Sequence, residues 1–238
     1  MRAQVRTGGT GNELTAVRAG PLVECVAVSR TFTRGGEVTA VRAVSCTVEA
    51  GMQVALTGPS GSGKSTLLHL LAGLDTPTAG TVRWPGLGGA PTGRPGTVGV
   101  VFQGPSLVPA LAVVENVTLP LLLAGIGEHD AVERACAALD RLAIGELACR
   151  LPEELSGGQA QRVAVARVLA SRPRLILADE PTGQLDHDTG TRVMSVLLET
   201  AEELDASLIV STHDARVARR LPHRWRMDDG RLIAEVTT

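Results

Sequence analysis

The sequence predicts an α/β fold: a mostly parallel sheet around a phosphate-binding loop, preceded by an antiparallel β layer and interrupted by an α-helical subdomain. Three observations carry this. First, Gly58-Pro59-Ser60-Gly61-Ser62-Gly63-Lys64-Ser65-Thr66 fits G-x-x-x-x-G-K-[ST] and lies between an apolar run, Val54 to Thr57, and a helix-like run, Leu67 to Ala72. Second, the runs Leu175 to Ala178 and Ser207 to Ser211 are buried in type, and fully apolar strands belong to parallel sheets covered on both faces. Third, Ala131, Val132, Ala135, Leu139 and Leu142 fall at helical spacing within a stretch, 107 to 150, that reads as mostly helical, with Gly145 as a stop.

Taken in order, residues 1 to 20 are rich in Gly, Thr and Arg without periodicity and read as a disordered tail. From residue 21 to 238 the chain reads as a single domain. Leu22 to Val28, Val38 to Val41 and Val44 to Val48 are strand-like, with a turn at Arg34-Gly35-Gly36-Glu37. Met52 to Thr57 leads into the glycine loop. Thr81 to Trp84 is a short strand, Pro85 to Gly96 a loop, and Val98 to Phe102 a buried strand ending at Gln103. A helical subdomain, approximately 104 to 170, follows; its last helix runs to about Ser171, before Arg172-Pro173. Residues 190 to 204 carry Val193, Val196, Leu197 and Leu204 on one helical face, and the end reads as a hairpin around Asp228-Asp229-Gly230.

Composition removes several function classes. The chain has 238 residues, 44% of them hydrophobic, enough for one large core. A net charge of −2 gives no electrostatic case for nucleic acid, and aromatics at 2% leave no base-stacking platform. The cysteines, Cys25, Cys46, Cys136 and Cys149, lack metal-ligand spacing and read as buried thiols of a reducing compartment. The longest apolar stretch, Val117 to Ile126, is broken by Thr118, Pro120 and Gly125, and Arg2 and Arg6 are followed by no apolar segment. A cytoplasmic location is expected, with any membrane association made through a partner.

The chemistry of the glycine loop follows from its residue types. Glycines let backbone N–H groups wrap phosphate oxygens, and the following helix adds free N–H donors and a positive dipole end. Lys64 suits the β/γ-phosphates and the Ser65 hydroxyl suits Mg²⁺. Of 23 basic residues Lys64 is the single lysine, a slender ammonium kept where a broad guanidinium would not fit. Downstream, Asp179 and Glu180 end an apolar strand. Asp179 suits metal holding, and Glu180 suits orienting or deprotonating a water. Gln103 reads either as a Mg²⁺ ligand or as a loop residue; Phe32 either stacks on adenine or packs in the core; His213 either contacts a γ-phosphate or is an ordinary loop histidine. Ser156 and Gln159 form a capping box, but the box leaves Gly157 and Gly158 unexplained, since glycine costs ~1 kcal/mol in a helix. Side-chain-free donors there point to a closely approaching anion.

Five separated features occur in one order: the P-loop, Gln103, Leu155-Ser156-Gly157-Gly158-Gln159, the strand-end Asp179-Glu180 pair, and His213. Over residues 22 to 236 this resembles the nucleotide-binding subunits of ABC transporters. The resemblance implies a P-loop NTPase core and ATP with Mg²⁺ as cofactors. It implies Phe32 as the adenine-stacking aromatic, usually Tyr, Gln103 as the metal-touching, membrane-subunit-sensing glutamine, and Asp186 as part of the loop after Glu180. In that loop Gln184 stands where small residues are common, and Ala160 replaces a frequent Gln. It further implies a sandwich of two such chains, a homodimer being allowed. Each ATP would lie between one chain's P-loop and the other's Ser156-Gly157-Gly158, with Glu180 and His213 catalytic. Transmembrane permease subunits on a separate chain would do the coupled work, placing the protein on the inner face of the membrane. Gly73 to Thr78, Glu115-Asn116-Val117, Leu119-Pro120-Leu121 and Ala178 to Gly183 look like the lipoprotein-releasing and macrolide-exporting branch. The length of Gly80 to Gly99 is closer to nitrate- and sulfonate-type importers. A soluble, non-transport ABC-type ATPase is the remaining alternative.

Overall fold

The structure, a computed structural model, describes residues 20–33 and 36–237. The tail expected over 1 to 20 therefore lies outside the described residues save Gly20, as do Arg34 and Gly35 of the expected turn. In chain order the strands and helices are β1 (Val23–Phe32), β2 (Val38–Val48), β3 (Gln53–Thr57), α1 (Lys64–Leu71), β4 (Ala79–Arg83), β5 (Val98–Val101), α2 (Val113–Leu123), α3 (Glu128–Arg141), α4 (Gly157–Ala170), β6 (Leu175–Asp179), α5 (His187–Glu203), β7 (Ser207–Ser211), α6 (Ala215–Ala218), β8 (His223–Asp228) and β9 (Arg231–Thr237).

Two sheets form. β2, β1 and β4 make an antiparallel layer; β5-β6-β7-β3-β8-β9 make the second sheet, parallel except for the β8–β9 hairpin. β2 is one strand where the sequence suggested two. The break between Val41 and Val44 is a bulge with Ala43 at φ 48, matched by Ala27 at φ 48 on β1. Each irregular N–H still has a partner: Ala27 N–H donates to Ser45 Oγ and Ala43 N–H to Ser29 Oγ, both at 2.9 Å. The hairpin turns at Asp229 (φ 42) and Gly230 (φ 76), the left-handed pair that a two-residue turn requires.

The parallel sheet is the central layer, and its inner strands β6, β7 and β3 are apolar on both faces for that reason. Leu175 and Leu177 of β6, Ile209 of β7 and Leu56 of β3 face a core shared with the antiparallel layer, α1 and Trp225. Ile176 and Ala178, Leu208 and Val210, and Ala55 face the opposite core with α2 to α5. Every residue of β6 and β7 is buried, as the fully apolar runs require.

Local expectations shift in three places. α3 stops at Arg141, not at Gly145: Ala143 takes φ 52, and Gly145 opens a single 3-10 turn. On α3, Ala131, Ala135 and Leu139 are buried, but Val132 is 41% exposed, because the buried stripe runs through Ala138 instead. Of the four cysteines only Cys25 and Cys46 are buried thiols, facing each other across β1 and β2; Cys136 and Cys149 are exposed.

Candidate functional site

The glycine loop spans 58 to 63, between the end of β3 and the start of α1. Gly58 has φ 146 and Gly63 φ 98, and both pack tightly. A Cβ on Gly58 would lie 2.2 Å from the Met227 carbonyl oxygen, and one on Gly63 2.1 Å from that of Ala40. The loop is thus wedged between β2 and β8. The hairpin turn adds a clasp: Gly230 N–H donates to Ser62 O (3.1 Å) and Arg42 N–H to Gly230 O (2.8 Å). Gly61 (φ 75) has open space around it, and Pro59, Ser60 and Gly61 are exposed. Lys64 is 7% exposed, and its ammonium donates to Gly58 O (2.9 Å) and Pro59 O (3.0 Å). Ser62 Oγ is buried and has no hydrogen-bond partner among the described residues. A buried, unpartnered hydroxyl in a glycine loop that opens a helix fits an anionic ligand.

Sheet order brings the acidic residues to the same edge. β6, β7 and β3 are neighbours, and Asp179, Ser211 and Leu56 share a register row two residues before Gly58. Ligands of open parallel sheets lie beyond such carboxyl ends. Asp179 is buried, and Oδ1 accepts the hydroxyl hydrogen of Ser211. Glu180 leaves the strand at φ 45, a left-handed conformation that costs a non-glycine residue about 1–2 kcal/mol. Its N–H donates to both oxygens of Ser211, the carbonyl at 3.1 Å and the hydroxyl at 3.2 Å, and its carbonyl accepts from Gly183 N–H at 3.0 Å. Strain of this kind collects at sites whose surroundings hold it in place. His213 Nδ1 lies 3.4 Å from Glu180 Oε1, with the imidazole 70% exposed. The next residue, Asp214, caps α6 through Arg216 N–H (2.7 Å), and its hydrogen bonds from the Arg216 side chain hold its carboxyl down to about 2.

Gln103 is exposed and lies two residues beyond β5, which ends at Val101 and not at Phe102. Its loop is anchored from α4: Gln161 Nε2 donates to Phe102 O (3.2 Å), and the Arg167 guanidinium donates to Ser106 O (2.9 Å). Burial lowers the Arg167 pKa. The Phe102 ring leans on His69 of α1, centroids 5.8 Å apart.

At the start of α4 the expected capping box is present: Ser156 N–H donates to Gln159 Oε1 (2.8 Å), and Gln159 N–H to Ser156 Oγ (3.2 Å). A packing reason for Gly158 emerges here, since a Cβ would sit 3.2 Å from Leu185 Cδ2; at Gly157 the nearest atom would be Gln184 Oε1, at 3.7 Å. Asp186 is the N-cap of α5, accepting from Thr189 N–H at 2.9 Å, and those hydrogen bonds lower its pKa. Among the described residues no hydrogen bond or ion pair joins Ser156–Gln159 to the glycine loop. Phe32 is no core residue: it is 40% exposed at the end of β1, with the Arg30 guanidinium 4.7 Å from its ring centroid. Arg30 is itself fixed by a bidentate pair with Asp75, both contacts 2.8 Å.

The structure therefore gathers the P-loop, Asp179, Glu180 and His213 at one sheet edge. Ser156–Gln159 and Phe32 make no hydrogen bond or ion pair with these residues among the described residues. The sequence reading gives no role to Ser211, Gln161 or Arg167. Arg167 interrupts the apolar run 163–170 and Ser211 ends the run 208–210, whereas Gln161 lies among polar neighbours and carries no such signal. Ser65, Asp179 and Gln103 offer hydroxyl, carboxylate and amide oxygens, a hard donor set of the kind Mg²⁺ takes. Among the described residues no group of three or more His, Cys, Asp or Glu gathers as a metal cage; an ion shared with substrate phosphates needs none.

Comparison with known proteins agrees with this fold. A family model described as "ABC transporter" matches residues 41–183. The chain is 41% identical over 219 residues to the lipoprotein-releasing system ATP-binding protein LolD of Shewanella denitrificans, covering 89% of this chain and 94% of that one. The corresponding protein of Ruegeria pomeroyi is 43% identical over 224 residues, covering 90% and 98%. Among solved structures, the ATP-binding cassette MJ0796, in a dimeric post-hydrolysis state bound to ADP and Pi, is similar with a TM-score of 0.85 and 36% identity, covering 90% of this chain and 98% of that one.

Proposed function

The chain belongs to the family of ABC transporter ATP-binding subunits, and from that premise we propose which of its residues bind and hydrolyse ATP and what the hydrolysis drives. It is an ATPase of the lipoprotein-releasing type; relatives 37–43% identical over most of the chain belong to that branch, which sets aside the importer alternative suggested by the length of Gly80 to Gly99.

Residues 58 to 66 cradle the triphosphate, with Lys64 on the β- and γ-phosphates. Phe32 stacks on the adenine ring, and the bound Arg30 fixes its position. Ser65 and Asp179, with Gln103, hold Mg²⁺. When bound, that ion neutralises charge on the β- and γ-phosphate oxygens. Glu180 orients the attacking water and takes its proton, and His213 steadies the γ-phosphate from the exposed side. Ser156, Gly157, Gly158 and Gln159 of a second copy close over the same phosphates, and Asp186 supports that junction by capping α5. ATP closes two chains into a sandwich and hydrolysis opens it. Separate membrane subunits carry out lipoprotein release. They hold this chain at the inner membrane face and dock on the groove between α2 and α3, whose lining includes Leu111, Val114, Leu119, Leu122 and Val132. No described helix is long and apolar enough to cross a membrane.

One observation supports the hydrolytic reading above the rest. Glu180 is held in a left-handed backbone conformation beside buried Asp179, with an imidazole within 3.4 Å. Glu180→Gln keeps the shape and the amide-capable hydrogen bonds but removes the base. It is expected to bind ATP as the wild type does, to accumulate as an ATP-bound dimer by size exclusion, and to lose ~10²–10⁴-fold in turnover, the usual weight of a positioned base. Wild-type-like turnover in this variant would overturn the role given to Glu180.

A further inference from the structure

We propose that Ser211 is a positioning residue for the hydrolytic end of the site, holding Asp179 through its side chain and Glu180 through the backbone. This rests on the roles given above to those two carboxylates.

Ser211 is the last residue of β7 and is completely buried. An apolar residue would satisfy that environment, as Leu208, Ile209 and Val210 do along the rest of the strand. A buried hydroxyl is costly unless its hydrogen bonds are made. Here they are made, and the direction of each is fixed. Asp179, when ionised, only accepts, so the single hydroxyl hydrogen of Ser211 points to Asp179 Oδ1. The oxygen then receives the Glu180 N–H at 3.2 Å, while the Ser211 carbonyl receives the same N–H at 3.1 Å. One residue thereby grips two consecutive acidic residues. The grip on Asp179 leaves Oδ2 without a hydrogen bond among the described residues, available for a metal ion or its water. The grip on Glu180 stabilises a backbone at φ 45, whose displacement would swing the carboxylate away from His213.

Sheet register explains why this position can do so. β7 lies between β6 and β3, with Ser211 level with Asp179 on one side and Leu56 on the other. Among the described strands, β7 is the one that pairs with both β6, which ends at the acidic pair, and β3, which leads into the P-loop. A serine that merely satisfied itself would find backbone carbonyls; this one donates to a site carboxylate instead. Groups that hold a metal-binding carboxylate or water-orienting residue typically change metal affinity or activity about 10–100-fold when removed.

The test compares Ser211→Thr with Ser211→Val, which share a shape and differ by the hydroxyl, and adds Ser211→Ala, which introduces no atoms. Full-length protein with ATP is titrated with Mn²⁺, free Mn²⁺ being read by electron paramagnetic resonance, and steady-state ATP hydrolysis is measured in parallel. Thr is expected to stay close to wild type. Val and Ala are expected to weaken Mn²⁺ binding to the ATP-loaded protein and lower kcat, each by about tenfold or more, with metal-free ATP affinity unchanged. Wild-type Mn²⁺ affinity and kcat in a folded Ala or Val variant would overturn the assignment, as would a Thr variant as impaired as Val. If Val fails to fold, Ala decides alone. A wild-type chain that neither binds Mn²⁺ with ATP nor hydrolyses it would instead overturn the underlying reading of Asp179 and Glu180.

Discussion

Replacing Gly63 by Ala tests whether the P-loop is held from outside by β2 and β8. Two terms act on this position. At φ 98 an L residue is strained by about 1–2 kcal/mol. Its Cβ would also lie 2.1 Å from the carbonyl oxygen of Ala40, a backbone atom inside β2 that cannot rotate away as a side chain would. Gly61 is the internal control. It too has a positive φ, 75, but no heavy atom lies within 4 Å of its Cβ position. Ala at Gly61 therefore carries the backbone term alone, offset in part by ~0.4–1 kcal/mol from the stiffer unfolded chain. Gly63→Ala carries both and should exceed ~3 kcal/mol. For a domain of this length each kcal/mol lowers Tm by about 2–4 °C. Nucleotide-free thermal unfolding should thus show a loss of a few degrees for Gly61→Ala and roughly 6–12 °C or more for Gly63→Ala. Leaving nucleotide out keeps ligand linkage from masking the difference. Equal losses in the two variants would refute the wedge and place the whole requirement in the backbone conformation.

Two other perturbations separate roles that one residue carries together. Ser156 caps α4 and is also assigned to a partner's phosphate. Ser156→Ala should lose the cap at a cost of about 1 kcal/mol, whereas Ser156→Asp should keep it, aspartate being an equally good N-cap, yet repel ATP. By chemical denaturation Asp should match wild type, and by size exclusion with ATP in the Glu180→Gln background it should fail to dimerise; an Asp variant that dimerises normally would remove the phosphate role. Asp214 gives a pH signature. Arg216 lowers its carboxyl to about 2 from an ordinary 3.8, so the folded chain binds fewer protons than the unfolded one in that interval. The resulting stabilisation is present above pH ~4 and is lost as pH falls towards about 2. Asp214→Asn should flatten the dependence of Tm on pH within that window, and an unchanged slope would rule the pair out as a source of acid sensitivity.

What the sequence made legible was whatever depends on neighbours within a few residues. The P-loop spacing, the Ser156–Gln159 capping box and the Asp229-Gly230 turn are all local, and all form as read. The apolar runs at 175 and 207 revealed a two-sided sheet because alternate residues enter separate cores. What stayed hidden depends on partners far along the chain. Ser211 meets Asp179 32 residues away, and Gln161 meets Phe102 59 residues away. A polar residue at the end of an apolar strand or among polar neighbours on a helix does not say which distant carbonyl or carboxylate it meets. The end of α3 was missed for a different reason: Ala143 takes the left-handed turn that glycine usually supplies, so Gly145 drew the prediction two residues too far. Phe32 resisted because aromatic type fits a core and a platform equally. Its 40% exposure at the end of β1 excludes the core.

These long-range bonds also decide how motion can travel. On the proposed reading, membrane subunits push on α2 and α3 while the chemistry happens at the sheet edge, so something stiff must connect them. α4 packs against both α2 and α3 and carries Ser156 to Gln159 at its start. Further along, Gln161 and Arg167 hold the carbonyls of Phe102 and Ser106, the two ends of the loop that contains Gln103. Phe102 then rests on His69 of α1, the helix that begins at Lys64. Breaking the Gln161–Phe102 bond would leave a part-buried polar group unpaired, at about 1–3 kcal/mol, while the Arg167–Ser106 bond is exposed and adds less. On that reading the Gln103 loop is tied to α4, and a displacement of the helical subdomain would reach both Ser156, assigned to the second-copy contact, and Gln103, assigned to the metal.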